Sequence, residues 1–600
     1  MLSTIGASMN GRARVVIGRH AVSNVGYNMR ATAVFETHCV TKAYSTSRSV
    51  ASAPPEPELN FNDSETAFHS KTFLQLIRAS LVYRICTMPV LVRNAESMMH
   101  TSYKYLGPRI TNATMKYSFF GHFCAGENEP DMKPTVDYLH RNGIGAIFDY
   151  AAESDVAEND AVVEAPAAVA RAAAAESAAR SSSSGSGVFN HDESPYIDPA
   201  EMPPLTQYDS SQETIGRVYH YIDEAVCDKH AVIFANCIQS VHNSSPSGFA
   251  AMKITALGDP NLLKRMSSTL TEIRRLFRKF DSDGDGLITR EQFDNSYNLY
   301  FHESNLTDDL FAKADKDSSG TIDYIEWSNT IVLESLTDLV KHCKDTSGPL
   351  SQSVLTSEEI KLVKSMRTRV DKLADMAAKL GVRLMIDAEH SYFQPAIDNI
   401  AYKLSKKYNK VGQPVIFNTY QMYLKDSSRR LQIDYDRSVR DGSTFAVKIV
   451  RGAYMVLEAA HAKETGGNDP VLPSLTETHD NYNGAISNLI RKMGEGKNVE
   501  LMIASHNQGS IELALDEMKA NGLDQSANVY FGQLLGMADH LTFTLGSDRY
   551  RAYKYVPYGK VNKVMPYLIR RAQENSDVLG NARHELAMIT SEIKRRINPF

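Results

Sequence analysis

Cysteine and tryptophan are scarce in this chain, which has six cysteines and one tryptophan among 600 residues. The cysteines are scattered and form no C-x-x-C pair, so the sequence predicts neither a disulfide framework nor a zinc site, and a reducing compartment fits. No apolar run approaches the roughly 18 residues of a membrane-spanning helix, so any membrane contact is predicted to be peripheral.

Length and composition are those of a globular protein with more than one folding unit. A chain of 600 residues exceeds the size at which a single hydrophobic core stops growing. Hydrophobic residues make up 42% and charged residues 23%, which is ordinary for a globular protein. The net charge of −6 gives no indication that the chain binds nucleic acid.

The first 35 residues are basic and contain no Asp or Glu. Arginines stand at positions 12, 14, 19 and 30, many of the other residues are small, and there is no hydrophobic segment of the secretory type. This composition is typical of a mitochondrial transit peptide, which we predict over residues 1–45. A disordered basic tail of a cytosolic protein is the alternative.

Two regions precede the main body of the chain. Residues 60–150 contain helical patterns, such as TFLQLIRASLVYRICTM, and form a predicted N-terminal helical region. Residues 151–190 are rich in Ala, Glu and Ser and poor in large apolar residues. Such a segment buries too little apolar surface to become ordered, so we predict a disordered insertion there.

Seven short apolar runs alternate with helix-sized segments through the rest of the chain. This alternation is typical of parallel β-α units, and short continuous apolar runs are typical of buried parallel strands. The runs are GFAAMKITAL (248–257), VRLMID (382–387), QPVIFN (413–418), FAVKIV (445–450), VELMIA (499–504), NVYFG (528–532) and YRAYKYV (550–556). We predict an α/β fold, a (β/α)-barrel over residues 212–600, with an eighth strand that is not placed. A doubly wound open sheet is the alternative, but no strand is followed by its G-x-G-x-x-G fingerprint.

The stretch between the first two predicted strands is too long for a barrel loop without structure of its own. It contains two twelve-residue segments that match the EF-hand calcium loop, so we predict an all-α EF-hand pair over residues 268–335, inserted in the barrel. The predicted ligands are Asp281, Asp283 and Asp285 in the first loop and Asp315, Asp317, Ser319, Thr321, Asp323 and Glu326 in the second. Because Gln292 stands where a bidentate glutamate is usual, we expect the second loop to bind Ca²⁺ better than the first. A structural insert without regulatory effect is the alternative.

Polar residues lie inside or just after the predicted strands. In a (β/α)-barrel the catalytic residues gather at the carboxyl ends of the strands, and a charged residue within an apolar strand is costly unless it is paired. We therefore select these residues as candidates for the active site: Lys253, Asp387, Glu389, Asn418, Lys448, His506, Gln533 and Tyr555.

A predicted helix over residues 565–575 carries two adjacent arginines. Tyr567, Arg570, Arg571 and Glu574 are spaced three or four residues apart and share one helix face. Guanidinium groups fit a carboxylate through paired hydrogen bonds, and tyrosines surround this pair in the sequence. The pattern indicates a clamp for a small anionic substrate with an apolar body. A solvated basic helix face is the alternative.

Six sequence blocks together resemble the eukaryotic, mitochondrial proline dehydrogenases. They are RLMIDAEHSYFQPAID, VIFNTYQMYL, KIVRGAYM, ASHNQGS, QLLGMAD and KYVPYG with PYLIRRAQEN. The resemblance covers roughly residues 212–257 and 360–590. It implies a distorted (β/α)8 barrel that binds FAD, with the final helix of the barrel lying across its mouth.

The resemblance also implies roles for individual residues. Arg570 and Arg571 would bind the carboxylate of proline, and Lys253, Asp387, Lys448 and Tyr555 would be catalytic. The substrate ring would lie among Tyr567, Tyr555, Leu534 and Tyr454. The implied FAD contacts are Asn418, Lys448, Arg451, His506, Gln533 and Glu574.

The implied reaction is the oxidation of L-proline to Δ1-pyrroline-5-carboxylate, with electrons passed to a quinone. The implied location is the mitochondrial matrix, with peripheral association with the inner membrane. A hydroxyproline dehydrogenase is one alternative, although in those enzymes a serine stands at the position of Tyr555. A calcium-sensing mitochondrial adaptor with an inactive barrel is the alternative from another functional class.

Overall fold

The computed structural model describes residues 59–151, 221–245, 247–302, 306–577 and 579–598. The predicted transit peptide and nearly all of the predicted insertion at 151–190 lie outside the described residues. Five of the six cysteines are described, and all five are buried free thiols.

Eight parallel strands close into a barrel, in chain order around the ring. They are β1 (Ile144–Tyr150), β2 (Phe249–Met252), β5 (Arg383–Ile386), β6 (Ile416–Gln421), β7 (Phe445–Val450), β8 (Val499–Ala504), β9 (Val529–Leu534) and β10 (Arg551–Tyr558). Each of the seven predicted strands is present, so the barrel prediction is confirmed. The open-sheet alternative is wrong because β1 pairs with both β2 and β10.

The eighth strand is β1, which the sequence pattern left unplaced. Ile147 of β1 is aligned with Phe249 of β2 on one side and with Tyr555 of β10 on the other. The barrel therefore begins within the region that was predicted to be helical, and its predicted start at residue 212 is corrected. The reason is sequence separation: about 100 residues separate β1 from β2, so no local β-α alternation marks it as a strand.

Helices connect successive strands and cover the barrel. They are Glu224–Ser244, Pro260–Phe280, Ser357–Leu380, Gln394–Tyr408, Ser427–Arg440, Met455–Thr465, Leu475–Gly494, Gln508–Ala520 and Asp539–Ser547. Local sequence sets their ends. For example, Thr356 and Glu359 form a reciprocal capping box, and Gly381 ends the same helix in a left-handed conformation (φ 67°).

Apolar side chains fill the inside of the barrel. The inner cluster consists of Ile147, Phe249, Met385, Phe417, Ala446, Met502, Tyr530 and Tyr553, and Tyr555 packs against it. The strand residues between them face outward into a larger cluster with the helices. The barrel is thus a packed core, and chemistry is possible only at its ends.

A smaller helical unit is inserted between β2 and β5. It contains helices Arg290–Tyr300, Leu306–Ala314 and Tyr324–Thr330, and strands β3 (Leu287–Thr289) and β4 (Thr321–Asp323). Its own apolar core surrounds Trp327. Helix Pro260–Phe280 joins the two cores, since Met266 lies in the barrel cluster and Phe277 in that of the insert. Two short helices, Leu336–Val340 and Pro349–Ser353, lead back to the barrel.

Helices from both ends of the chain pack together on the barrel. Those before β1 are Ser64–Phe68, Phe73–Cys86, Pro89–Arg93, Ala95–Tyr117, Phe119–Phe123 and Glu129–Arg141, and those after β10 are Met565–Asp577 and Leu579–Ile597. Val82 of the second helix lies in one cluster with Leu568, and Leu76 in another with Ile589. Among the described residues, no helix combines the length and apolar character that crossing a bilayer requires.

Candidate active site

The alternation of side chains along the strands determines which polar residues enter the barrel. Successive strand residues point to opposite faces, and Met385, Ala446 and Tyr553 belong to the inner cluster. By the same alternation Asp387, Lys448 and Tyr555, each two residues further along its strand, face inward. These three strand-end predictions therefore lie together at the carboxyl end of the barrel.

Asp387 is the centre of this group. It accepts hydrogen bonds from Lys448 Nζ and from the hydroxyl of Tyr555, the latter at 2.9 Å. The Lys448 ammonium also lies 5.7 Å from the centroid of the Tyr555 ring. Burial, together with the carboxylates of Asp149 and Asp387, raises the pKa of Tyr555 well above its ordinary value. Tyr555 is therefore protonated at neutral pH and acts as a hydrogen-bond donor.

Lys253 and Glu389 form a second polar group beside the first. Burial raises the pKa of Glu389 to about 7, although the side-chain hydrogen bond from Thr255 and the charge of Lys253 act in the opposite direction. Glu389 also accepts a hydrogen bond from the Thr255 backbone amide at 3.2 Å. Lys253 is half-buried at the end of β2.

The arginine pair lies on helix Met565–Asp577, which agrees with the predicted helix. Arg571 is 8% exposed and donates to Glu574 Oε1 at 2.6 Å. The guanidinium carbons of Arg571 and Arg570 lie 4.9 and 5.9 Å from the centroid of the Tyr567 ring. The interpretation of this face as solvated is wrong, because Arg571 and Tyr567 are both buried.

This helix lies at the carboxyl end of the barrel. Tyr567 belongs to an apolar cluster that includes Ala151, which follows β1, and against which Leu534, the last residue of β9, packs. Tyr567 is also close enough to Tyr555 to raise its pKa. The predicted substrate residues Tyr555, Tyr567 and Leu534 are thus brought together. Tyr454 is buried before helix Met455–Thr465, with its ring centroid 4.4 Å from that of His390.

His506 follows β8 and is a neutral imidazole. Burial and the positive charges of Lys554 and Arg571 lower its pKa to about 3. Its Nε2 accepts a hydrogen bond from the Leu534 amide at 3.0 Å, so the ring proton is on Nδ1. His506 can therefore donate one hydrogen bond at the end of the barrel.

Two predicted cofactor contacts face away from the barrel interior, and both predictions are corrected. Asn418 donates to Asp398 of helix Gln394–Tyr408 at 3.0 Å, on the outer side of β6. Gln533 accepts from Thr542 at 2.9 Å and donates to the Ser505 carbonyl at 3.2 Å. The physical reason is strand alternation, since their neighbours Phe417 and Leu534 occupy the opposite face.

Arg451 lies between the loops that follow β7 and β8. Its guanidinium donates to Ser505 and Ser510 at 2.8 Å each and to His479 at 3.0 Å, and it stacks 4.2 Å from the Tyr482 ring centroid. Its contact with a cofactor stays a prediction.

Three inward-facing residues were missed by sequence reasoning. Asp149 is on β1, and Thr419 and Gln421 are on the part of β6 beyond its predicted end. Thr419 is aligned with Lys448 on the neighbouring strand. The sequence could have indicated the two residues of β6, because continuing the alternation of side chains from Phe417 places Thr419 and Gln421 on the same face. The sequence contained no such indication for Asp149, because its strand was not identified.

Some polar atoms in this region fit a bound ligand. Within the described residues, Thr419 Oγ1, Gln421 Oε1 and Tyr567 Oη are buried and have no hydrogen-bond partner. An unsatisfied buried polar atom costs about 1–3 kcal/mol, so three of them near one end of the barrel indicate that another molecule supplies partners. The alternating donors and acceptors of a flavin ring suit this set.

The two predicted calcium loops hold their carboxylates close together. Carboxylate oxygens of Asp281, Asp283 and Asp285 lie within 4.8 Å of one another, and so do those of Asp315, Asp317 and Glu326. The strands of the two loops pair, with Ile288 aligned with Ile322. Gln292 caps its own helix by accepting from the Thr289 amide at 2.8 Å. Glu326 caps the helix of the second loop in the same way, by accepting from the Asp323 amide at 3.1 Å. Calcium binding and the expected preference for the second loop therefore stay predictions.

Comparisons with known proteins find relatives that match most of the chain. The proline dehydrogenase family matches residues 250–584. Human mitochondrial proline dehydrogenase 1 is 34% identical over 562 residues, covering 91% of this chain and 90% of the relative. Hydroxyproline dehydrogenase of Xenopus laevis is 29% identical over 549 residues, covering 91% and 92%. Proline utilization A from Bdellovibrio bacteriovorus, inactivated by N-propargylglycine, aligns with a TM-score of 0.46 and 14% identity, over 86% of this chain and 38% of that one.

Proposed function

This chain belongs to the proline dehydrogenase family, and from this premise we propose that it oxidises L-proline to Δ1-pyrroline-5-carboxylate with bound FAD and passes the electrons to a quinone. It is an oxidoreductase that acts on proline, and its relatives support a mitochondrial location. The adaptor alternative is disfavoured, because the family is enzymatic and the strand-end polar network is present.

One observation carries the choice of substrate: an arginine pair, of which Arg571 is buried and Arg570 half-buried, beside a tyrosine-lined end of the barrel. Arg570 and Arg571 would hold the substrate carboxylate through paired charged hydrogen bonds. Glu574 fixes the direction of Arg571 by accepting from it at 2.6 Å. Tyr555, Tyr567 and Leu534 would contact the apolar ring of proline.

Lys448, Gln421, Thr419 and His506 would hold the flavin ring. When bound, FAD supplies the two-electron acceptor of the reaction. Asp387 keeps the Lys448 ammonium directed into the barrel, where a positive charge favours electron density on the acceptor. By orienting both reactants, these side chains convert a bimolecular encounter into an oriented one.

No protein base is assigned in this proposal. Prolinium does not readily give up a hydride, so the neutral amine is the reactive form. Tyr555 is unsuited to accept a proton by itself, because its raised pKa keeps the phenol protonated and its proton is directed to Asp387.

Hydroxyproline is the second candidate substrate. The hydrogen bond to Asp387 holds the Tyr555 ring in place. By the resemblance, a serine at this position makes room for the ring hydroxyl of hydroxyproline, and the tyrosine ring would occupy that space. We therefore favour proline.

Calcium modulation is a further part of the proposal. Asp323 of the second loop forms an ion pair with Arg440, at the end of the barrel helix Ser427–Arg440. This helix connects β6 and β7, which carry Thr419, Gln421 and Lys448. Ca²⁺ binding by the second loop would change the charge that Arg440 faces. The effect of Ca²⁺ would thereby be transmitted to the barrel helix that carries Arg440.

Anaerobic bleaching of the purified protein tests the proposed function. The protein should be yellow, and proline without oxygen should abolish the flavin absorbance. A colourless protein, or one that proline does not bleach, would contradict the proposal. Faster bleaching by hydroxyproline than by proline would instead favour the second candidate substrate.

A further inference from the structure

The described surface has one concentrated apolar region, before β1. Of the 21 large hydrophobic side chains that are exposed among the described residues, 11 lie within residues 73–117. Four of them, Phe73, Leu74, Ile77 and Leu81, lie on the exposed side of helix Phe73–Cys86. Exposed hydrophobic residues scattered singly are normal, but a concentration of them in one part of the chain indicates an interaction site.

The region 95–117 is a helical hairpin. Gly107 has φ 74° and ψ 166°, which interrupts the helix before Pro108. The Ser102 and Thr111 hydroxyls lie 2.8 Å apart, and Tyr103 donates to Asn112 at 2.7 Å. An uninterrupted helix would separate each pair by more than ~13 Å, so the two halves lie side by side.

This hairpin has almost no core of its own. Thr111, 2% exposed, is its only buried residue among the described ones. The side chains at its tip, Tyr105, Leu106 and Ile110, are 76%, 54% and 57% exposed. Helices of this length derive most of their stability from packing an apolar face. Met99 and Met115 pack against the cluster that contains Val82, whereas the apolar side chains at the tip stay exposed among the described residues.

The charge of this region is opposite to that of the whole chain. Residues 73–117 contain six Lys and Arg residues and one acidic residue, Glu96, although the chain as a whole carries −6. Lys104 and Arg109 flank the apolar tip directly. Long basic side chains beside apolar and aromatic ones are typical of segments that lie in the interface of an anionic membrane.

We propose that hairpin Ala95–Tyr117 and the exposed face of helix Phe73–Cys86 dock on the surface of an anionic lipid bilayer, with the hairpin tip in the interface. The break at Gly107 leaves backbone groups of the tip without helical partners, and water and lipid headgroups in the interface can supply those partners. Each Lys or Arg near such a surface adds attraction. A second copy of this chain would bring like charges together, which disfavours it as the occupant.

The docking surface adjoins the candidate active site. Val82 and Cys86 of helix Phe73–Cys86 pack in one cluster with Tyr567 and Leu568 of the helix that carries the arginine pair. If the proposed function is right, this places the end of the barrel towards a membrane-dissolved electron acceptor. This orientation towards the acceptor rests on the proposed function, whereas the docking itself does not.

Vesicle flotation of the full flavin-loaded chain tests the proposal. Vesicles of phosphatidylcholine with cardiolipin are compared with pure phosphatidylcholine. The wild type should float with the anionic vesicles and lose binding at about 0.5 M NaCl, where exposed charges are screened. The double variant Leu106→Ser/Ile110→Ser should lower partitioning by about tenfold or more. Lys104→Gln/Arg109→Gln should reduce binding to anionic vesicles about tenfold or more and leave binding to neutral vesicles nearly unchanged.

The matched control is Val232→Ser/Val439→Ser, which removes two side chains of similar exposure (59% and 58%) from other surfaces. It should float like the wild type. Proline oxidation with a water-soluble acceptor should be the same in all variants, which shows that they are folded. An inactive protein that still floats would reject the proposed function and leave the docking intact.

Three results would overturn the docking proposal. One is a wild type that does not float with anionic vesicles, or an apolar variant that floats as well as the wild type. Another is a wild-type dimer that Leu106→Ser/Ile110→Ser converts to a monomer without any vesicle binding, which would assign the surface to a second copy. The third is vesicle binding that arises only after residues 152–220 are deleted, which would assign the surface to that segment.

Discussion

At the scale of single residues, the proposed chemistry depends on charges that burial forces into pairs. Asp387 is held between a buried ammonium and a partly buried phenol, and Arg571 is held by Glu574. A buried charge without a partner would be costly, so each pair fixes the direction of the side chain that would meet the ligand. Positioning is thus the main contribution of these residues.

Arg571→Ala tests the carboxylate clamp. Losing one charged hydrogen bond to the substrate costs about 1.5–3 kcal/mol, so KM for proline should rise about 10- to 150-fold. Steady-state kinetics measure this change. Arg583→Ala, on the exposed side of the next helix, is the control and should leave KM unchanged. A wild-type KM in Arg571→Ala would show that this pair is not the carboxylate site.

Tyr555→Ser tests the choice between the two substrates. Removing the ring opens space for a substrate hydroxyl, so the ratio of kcat/KM for hydroxyproline to that for proline should increase. Tyr555→Phe keeps the ring and removes only the hydrogen bond to Asp387. It should lower activity without raising the ratio. An unchanged or smaller ratio in Tyr555→Ser would refute the steric explanation.

At the scale of elements, helix Pro260–Phe280 joins the barrel to the inserted helical unit. Its first half packs on the barrel and its second half enters the core around Trp327. One continuous helix therefore connects the end of β2 to the first predicted calcium loop. Together with the Asp323–Arg440 ion pair and the hydrogen bond from Arg437 to Ser328 at 2.7 Å, it connects the insert to the barrel.

The two loops should differ in calcium affinity, because only the second has a carboxylate at its last position. Calorimetric titration should find one tight site in the wild type. Glu326→Gln should weaken that site by about tenfold or more, and Gln292→Glu should add a second one, because a bidentate carboxylate contributes both charge and two oxygens. Asp309→Asn, an exposed acidic residue outside both loops, should change neither. Two equal sites in the wild type would argue against this assignment.

At the scale of the whole molecule, buried ion pairs connect distant parts of the chain. Asp539 binds Lys71 and Lys554, at 2.7 Å each. Against the effect of its burial, the two ammonium groups hold the pKa of Asp539 below its usual value. Glu585 accepts from Tyr83 and from the amides of residues 538 and 539, all at 2.8 Å. The N-terminal and C-terminal helices are thereby fixed to the same end of the barrel.

Lys554→Met tests this connection. Lys554 is fully buried and donates to Asp539 and to the carbonyl of Met537 at 2.6 Å. Removing one partner from a buried ion cluster costs about 3–5 kcal/mol, so thermal unfolding should begin at a clearly lower temperature. Lys560→Met, at an exposed position, is the control. A variant as stable as the wild type would show that Lys71 alone suffices for Asp539.

The sequence by itself determined the features that depend on neighbouring residues. Apolar runs predicted seven of the eight strands, the three-to-four spacing predicted the helix of Arg570 and Arg571, and the loop spacing selected the carboxylate clusters of the insert. These patterns are local, because hydrogen-bonded helices and buried strands each impose their own period. Only the tertiary structure decided the placement of Asp149, whose strand pairs with partners about 100 and 400 residues away.

Tertiary structure also decided which side of β6 meets the ligand. The sequence favoured Asn418, whereas the strand continues to Gln421 and turns Thr419 and Gln421 inward. A shift of one residue moves a side chain to the opposite face, and the composition of a strand buried on both faces does not distinguish them. Tertiary structure likewise decides that the hairpin tip is exposed. The sequence shows that its side chains are apolar, but only the fold shows whether other residues of the chain pack against them.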